Sequence, residues 1–378
     1  MSEMEIDLNR QIEAKKYSRI RHRLMAVDIL IGGLYTITWL NFGWSQQLKE
    51  WLSGFTSSDW LLVAGFGILF GGIYYLLTLP ISFYEGFLLP HRFGMSNQSR
   101  SEWAADQAKG LAIGVFLGGL LLEIIYATLR ATPYTWWIWA GLILLVFNVI
   151  LANLAPVLLF PIFYKFVPLE DEFEELADRL IRLAREANTY VQGVFKFDMS
   201  RRTNAANAAL TGLGNTRRII LGDTLLEKFT NDEIETVLAH ELGHHVHKDI
   251  PKGIVIESFL TVGGLYLAAR ALEWGTQFYG FESPADIASM PLFILAMGIY
   301  GLFLMPLTNA YSRWREVKAD QYALTSTRMG DAYASALVRL ANQNLADVEP
   351  EPWVVFLLHS HPPLNKRLEM ARNFAMQD

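Results

Sequence analysis

The chain has 378 residues, a formal net charge of −6 and no cysteine. Disulfides, thiolate catalysis and Cys-ligated zinc are therefore excluded, and with no basic stripe or nucleic-acid motif no nucleic-acid partner is expected. Hydrophobic residues make up 52% and charged ones 19%, mean hydropathy is +0.22, and the apolar residues fall in blocks, as in a membrane protein.

Taken in chain order, about 24 polar residues precede the first apolar block. That block is long and late, so it reads as a retained span rather than a cleaved signal. Six blocks reach the ~20 residues that a span needs; they run at roughly 25–45, 60–84, 108–129, 136–164, 253–274 and 286–310. Arg10, Lys15, Lys16, Arg19, Arg21 and Arg23 stand before the first, and Arg313, Arg315 and Lys318 follow the last, while 275–285 carries no Lys or Arg. The positive-inside rule then puts both termini, 165–251 and 313–378 in the cytoplasm. The expected fold is an α-helical integral membrane protein of about six spans with a split cytosolic α+β unit. Its parts are four spans in 1–164, a polar segment 165–251, a membrane hairpin 252–312 and a second polar segment 313–378.

Prolines in "LAPVLLFPIFYKFVPL" are expected to end the fourth span. "EDEFEELADRLIRLAREAN" has apolar residues three or four apart and reads as an amphipathic helix. "NAALTG" and "RRIILG" read as short strands joined by the turn "GLGN". Thr230 with Glu233 forms a capping box that opens a helix over "TNDEIETVLAHELGHHVH", limited by Pro251.

Four of the eight histidines lie on that helix. His240-Glu241-Leu242-Gly243-His244 is an H-E-x-x-H pattern. Residues i and i+4 share a helical face, so two imidazoles can hold one zinc ion. Glu241 stands about 100° round the helix from His240, beside the metal, where it can take a proton from water activated there. A catalytic zinc needs a third protein ligand and an open position. His247 faces the same way one turn on but lies too far along the axis, and a surface role is expected for it. Glu316 and Asp320, i and i+4 in "YSRWREVKADQYALTST", are better placed. Glu316 can complete a His-His-Glu site, and Asp320 can fix the tautomer of a ligand histidine; a charged solvent-facing helix would show the same spacing. In "LLHSHPPLNKRL", His361 precedes two prolines that hold it on an extended segment, from which it can donate to a developing oxyanion. An ordinary loop histidine would look the same.

Taken together, "HELGHH", "SRWREVKADQYA", "SHPPLNKRL", "RRTNAANAALTGLGNTRRIILGDTLL" and "LPHRFGMSNQS" resemble the CAAX prenyl protease type 1 family, integral-membrane zinc metallopeptidases of the gluzincin group. The likeness runs from about 80 to 378. It implies one zinc ion held by His240, His244 and Glu316, with Glu241 as general base, Asp320 behind a ligand and His361 near the scissile carbonyl. It also implies that "NAALTG" pairs with extended substrate through Asn207 and Ala208, with Arg367 among the substrate-binding residues. The expected partners are a peptide or protein substrate near the membrane and the lipid bilayer; no oligomeric state follows. A bacterial plasma membrane is the expected location. The chain departs from the family where "AANAA" replaces "HSNAY" and "FGMS" replaces "FGFN", and it has six apolar blocks where eukaryotic members have seven spans. Two rival readings remain: a bacterial protease that clears damaged membrane proteins with the same zinc chemistry, and a non-catalytic transporter or scaffold with a relic zinc site.

Overall fold

Backbone N–H and C=O groups inside a bilayer must be satisfied within the segment, so long apolar runs fold as helices. The computed structural model describes residues 6–169, 171–212 and 214–376. Residues 1–5 of the first expected part and 377–378 of the last lie outside them. The membrane part begins with α1 (Leu8–Asn41), α2 (Trp44–Ser53), α3 (Asp59–Phe83), α4 (Leu89–Arg92), α5 (Arg100–Ala131), α6 (Trp136–Leu154) and α7 (Phe160–Phe163). Then come β1 (Phe166–Pro168), α8 (Glu174–Glu186), β2 (Val194–Phe197), β3 (Ala208–Thr211), β4 (Arg218–Gly222), α9 (Asp223–Leu226) and α10 (Asn231–Val246). A helical hairpin follows, α11 (Asp249–Tyr279) and α12 (Met290–Thr327), and the chain closes with α13 (Gly330–Gln343), α14 (Pro352–Leu358) and α15 (Leu364–Ala375).

Among the described residues, six helical stretches are long and apolar enough to cross a membrane: Leu8–Asn41, Asp59–Arg92, Arg100–Ala131, Trp136–Phe163, Asp249–Tyr279 and Ile287–Thr327. Leu34, Leu76, Phe116 and Phe303 stay exposed along them, where lipid rather than water is their solvent. Trp39, Phe66, Phe70, Tyr126, Trp136, Leu265 and Met290 form the buried contact between the spans.

Three spans continue through prolines, among them α12 with Pro306 in its interior. Turns of wider, π-type helix at Tyr84–Leu88 and Ala155–Leu159 precede Pro90 and Pro161. A proline ring clashes with the carbonyl four residues back, and a widened turn takes up that clash. The fourth span therefore runs through both prolines to Phe163, close to its expected end near 164. Pro251 likewise does not end α10. That helix stops at Val246, Lys248 takes a left-handed conformation (φ 57°), and Pro251 sits in the first turn of α11, where its missing N–H is no loss.

Outside the membrane the sheet order is β1-β2-β4-β3. β2 and β4 are parallel, while β1 and β3 pair antiparallel at the two edges. One core joins α8 (Leu176, Leu180, Leu183), the sheet (Ile219, Leu221), α10 (Leu238, Leu242), the end of α12 (Ala323), α13 (Leu337) and α15 (Leu368). The N-terminal turns of α1 attach to it. Gln11 Nε2 donates to the Ala346 carbonyl at 3.1 Å, and Val348 N donates back to Gln11 Oε1 at 3.1 Å.

Candidate metal centre

The capping box predicted for α10 is present. Glu233 N donates to Thr230 Oγ1 at 3.3 Å, and Thr230 N donates to Glu233 Oε2 at 2.8 Å. The other oxygen of Glu233 accepts from Arg339 Nε at 2.8 Å, which ties the helix start to α13. With its N-terminus fixed, α10 lies along α12, and the two cross at Gly243. A Cβ there would come within 2.9 Å of Ala319 Cα and 3.1 Å of its carbonyl oxygen. Only glycine permits this approach, since both obstacles are backbone atoms.

The approach brings Glu316 of α12 onto the histidine face of α10. His240 Nε2 lies 3.3 Å from Glu316 Oε2, and His244 Nε2 lies 3.4 Å from Glu316 Oε1. One ligand atom from each of the three residues lies within 4.8 Å of the other two. Glu316 is buried, and among the described residues its Oε2 accepts no hydrogen bond despite the nearby imidazole. A buried carboxylate oxygen without a donor is costly unless a cation completes it. The three side chains thus offer two nitrogens and a carboxylate to one point, a donor set that suits a divalent metal.

Each histidine has its other nitrogen taken. His240 Nδ1 lies 2.8 Å from Asp320 Oδ1. Asp320 is fully buried and also accepts from Tyr333 Oη at 2.5 Å and from Arg367, Nε to Oδ2 at 2.8 Å and a terminal N–H to Oδ1 at 2.7 Å. His244 Nδ1 lies 2.8 Å from Asp249 Oδ2. An ionised carboxylate only accepts, so both histidines donate from Nδ1 and turn Nε2 towards Glu316. Burial works against a charge on His240, but the carboxylates of Asp320 and Glu316 outweigh it and raise its pKa to about 9. His244 is raised for the same kind of reason, with burial opposed by Glu316 and Asp249. A site that draws positive charge this strongly suits a cation.

Glu241, half-buried on the next face of α10, is not among the three converging residues. Burial raises its carboxyl above the ordinary glutamate range. His361 is the exposed member of the cluster: its Nε2 comes within 3.4 Å of Glu316 Oε1, with its side chain 59% exposed. Its own Nδ1 meets Ser360 Oγ at 2.9 Å. The segment carrying it is gripped by α12, since Arg313 donates to the carbonyls of Val355 at 2.8 Å and His359 at 2.6 Å.

Asn207 and Ala208 stand at the start of the edge strand β3, which lies against α10. The loop from "FGMSNQS" explains part of its placement: Ser96 bridges to Thr203, and Asn97 Nδ2 donates to Ser200 O at 2.9 Å and Asn204 Oδ1 at 2.7 Å. Arg367 is a correction. The sequence reading puts it on substrate, whereas the structure buries its guanidinium against Asp320 and Tyr333, leaving the side chain 11% exposed. A five-donor fork that spends its N–H groups on a buried carboxylate and a phenol has little left for a peptide. His247 caps α10 with its ring against Tyr322, away from the cluster, as its position along the axis implies. Sequence reasoning missed Asp249, Tyr333 and the close approach at Gly243.

Comparison with known proteins agrees with this architecture. The family model for peptidase family M48 matches residues 170–375, and that for the CAAX prenyl protease N-terminal region, five membrane helices, matches 2–165. An uncharacterized metalloprotease of Bacillus subtilis, YhfN, is 30% identical over 362 residues, covering 95% of this chain and 84% of its own. The probable CAAX prenyl protease 1 of Schizosaccharomyces pombe is 30% identical over 362 residues (91% and 74%). CAAX prenyl protease 1 of Saccharomyces cerevisiae is 31% identical over 317 residues (78% and 68%). The crystal structure of S. mikatae Ste24p superposes with a TM-score of 0.87 at 23% identity, over 97% of this chain and 90% of that one, which shows a common fold.

Proposed function

Because the chain belongs to peptidase family M48 and is a multi-pass membrane metalloprotease, we propose that it is a zinc endopeptidase cutting extended peptides beside the membrane, with CAAX-type C-terminal peptides as its substrate class. The observation that carries the zinc assignment is the convergence of His240, His244 and Glu316 on one point, with Glu316 Oε2 buried and unbonded. Nitrogen and carboxylate donors in a chain without cysteine suit zinc. We assign four spans to 1–164 and one catalytic unit to 165–251 with 313–378, interrupted by the hairpin 252–312. The Lys and Arg distribution favours a cytoplasmic active site and cytoplasmic termini. Similarity to the Bacillus subtilis protein along nearly the whole chain favours a bacterial plasma membrane.

A zinc ion bound by these ligands supplies Lewis acidity, which polarises a peptide carbonyl and acidifies water. Glu241 takes the proton of the attacking water and passes it to the leaving amine. Burial raises its carboxyl above the ordinary glutamate range, which makes it the stronger base. His361 donates to the carbonyl oxygen as charge builds there. β3 lines up the substrate backbone as an added strand, which gives affinity with loose side-chain demands. Arg367 and Tyr333 hold Asp320, and through it the His240 ring, without touching substrate.

The test compares detergent-purified wild type with Glu241→Gln, quantifying bound zinc and cleavage of a farnesylated CAAX peptide beside an unfolded membrane protein. The expected result is about one zinc per chain in both, cleavage of the CAAX peptide by wild type only, and loss of that cleavage with a chelator. Cleavage of the unfolded protein alone would replace the substrate assignment with a quality-control role. No bound zinc, or a mutant as active as wild type, would overturn the mechanism.

A further inference from the structure

The two ligand histidines differ in what stands behind them. His240 is backed from within the catalytic core by Asp320, Tyr333 and Arg367. His244 is backed by Asp249, the first residue of α11 and so of the fifth span. The Asp249 carboxylate is only 7% exposed, and its hydrogen bond goes to His244 Nδ1 at 2.8 Å. Its place is set by the break between α10 and α11. His247 ends α10, and Lys248 turns the chain through a left-handed conformation, so the next helix starts with its first side chain turned back on the metal helix.

An acid in the first turn of a helix is favoured by the exposed N–H groups there, and that alone could account for an aspartate. It would not account for burying the carboxylate against an imidazole. A ligand histidine needs its second nitrogen bonded so that ring and tautomer are fixed before metal arrives. We propose that Asp249 is a positioning residue for the metal site: it holds His244 with Nε2 towards Glu316 and so fixes the fifth span to the metal centre. On this view the start of α11 cannot slide along its axis without turning His244 away from the metal. The proposal rests on the assignment of His240, His244 and Glu316 as ligands.

The experiment measures zinc dissociation constants of full-length, detergent-purified wild type and Asp249→Asn by competition with a chromophoric chelator. It adds the visible spectrum of the cobalt(II)-loaded proteins and the thermal midpoint of the metal-free proteins. Asparagine keeps the size and an oxygen acceptor but removes the charge from it. The zinc dissociation constant should rise about tenfold or more, and the cobalt bands should shift, with the metal-free midpoint unchanged. Equal zinc affinity and an equal cobalt spectrum would overturn the role, as would a loss matched by a falling metal-free midpoint. Absence of zinc binding by wild type would instead overturn the ligand assignment beneath it. If the asparagine variant does not fold, Asp249→Glu gives the reading: charge stays in the first turn while the carboxylate is displaced, and wild-type affinity there would equally overturn the proposal.

Discussion

His240 and His361 both come within 3.4 Å of Glu316, the first at 3.3 Å and the second at 3.4 Å, in opposite kinds of surroundings. The His240 side chain is 10% exposed and its Nδ1 is fixed by a buried carboxylate that three donor groups hold in turn. His361 is open to solvent, its Nδ1 meets the Ser360 hydroxyl, and the order around it lies in its backbone, clamped by Arg313. On the proposed mechanism the difference follows from what each must meet. Metal ligands gain from being fixed in advance, because any freedom they lose on binding is subtracted from affinity. A group that meets a passing peptide must be reachable, so here the loop is fixed and the ring is left free.

The largest expected effect separates those two sides. In His361→Ala, kcat should fall about 10²–10³-fold, the range for losing one oxyanion donor, while zinc content and zinc affinity stay at wild-type values. Steady-state kinetics with metal analysis of the same preparation checks this. A parallel loss of zinc would move His361 to the ligand side and break the comparison.

Gly243→Ala comes next and probes the opposite side. The new methyl would meet Ala319 Cα at 2.9 Å, and neither backbone can yield without moving a helix. Separating α10 from α12 draws His240 and His244 away from Glu316. Zinc affinity should fall about 10–100-fold, as when a ligand's support is removed, and overpacking should cost about 1–3 kcal/mol of stability. Chelator competition and thermal unfolding measure the two. Wild-type zinc affinity in this variant would show that the close helix approach does not set the site.

How legible these features are depends on how local they are. The pairs His240–His244 and Glu316–Asp320 each lie one helical turn apart, so a single sequence window shows each as a face. The six spans are legible because a run of about 20 apolar residues has few other uses. Tyr333 is not legible: it reaches Asp320 from a different helix, and nothing in the spacing relates the two. Asp249 resembles an ordinary helix-start acid until the left-handed Lys248 is known to aim it backwards. Strands β1 and β2, "FVP" and "VFKF", are three and four residues long, too short for alternation to register. The π-type turns were hidden for a different reason: proline predicts a stop, and only the helix continuing beyond it shows that a widened turn absorbs the clash.

The smallest expected effect concerns the edge strand, and the register says which groups it involves. Gly222 N donates to Asn207 O at 2.9 Å, so the backbone of Asn207 points inward to β4. Inward and outward residues alternate along an antiparallel strand. Ala209 pairs inward opposite Ile220, and Ala208 and Leu210 turn their N–H and C=O groups to the free edge. Ile219, opposite Leu210, donates its N–H to Gly193 on its other side at 3.1 Å, which is the same alternation seen from β4. A peptide added as a fifth strand would therefore meet the backbone of Ala208 and Leu210, whereas Asn207, expected from the sequence to pair with substrate, has its carbonyl taken by β4. N-methylation of one substrate amide that faces them removes one hydrogen bond, whose net value is about 0.5–1.5 kcal/mol. KM should rise about 2–10-fold with kcat unchanged, while methylation of the neighbouring amide, which faces away, should leave KM where it was. Equal effects at both positions would mean that the peptide binds without strand pairing, and the open side of the site would then rest on His361 alone.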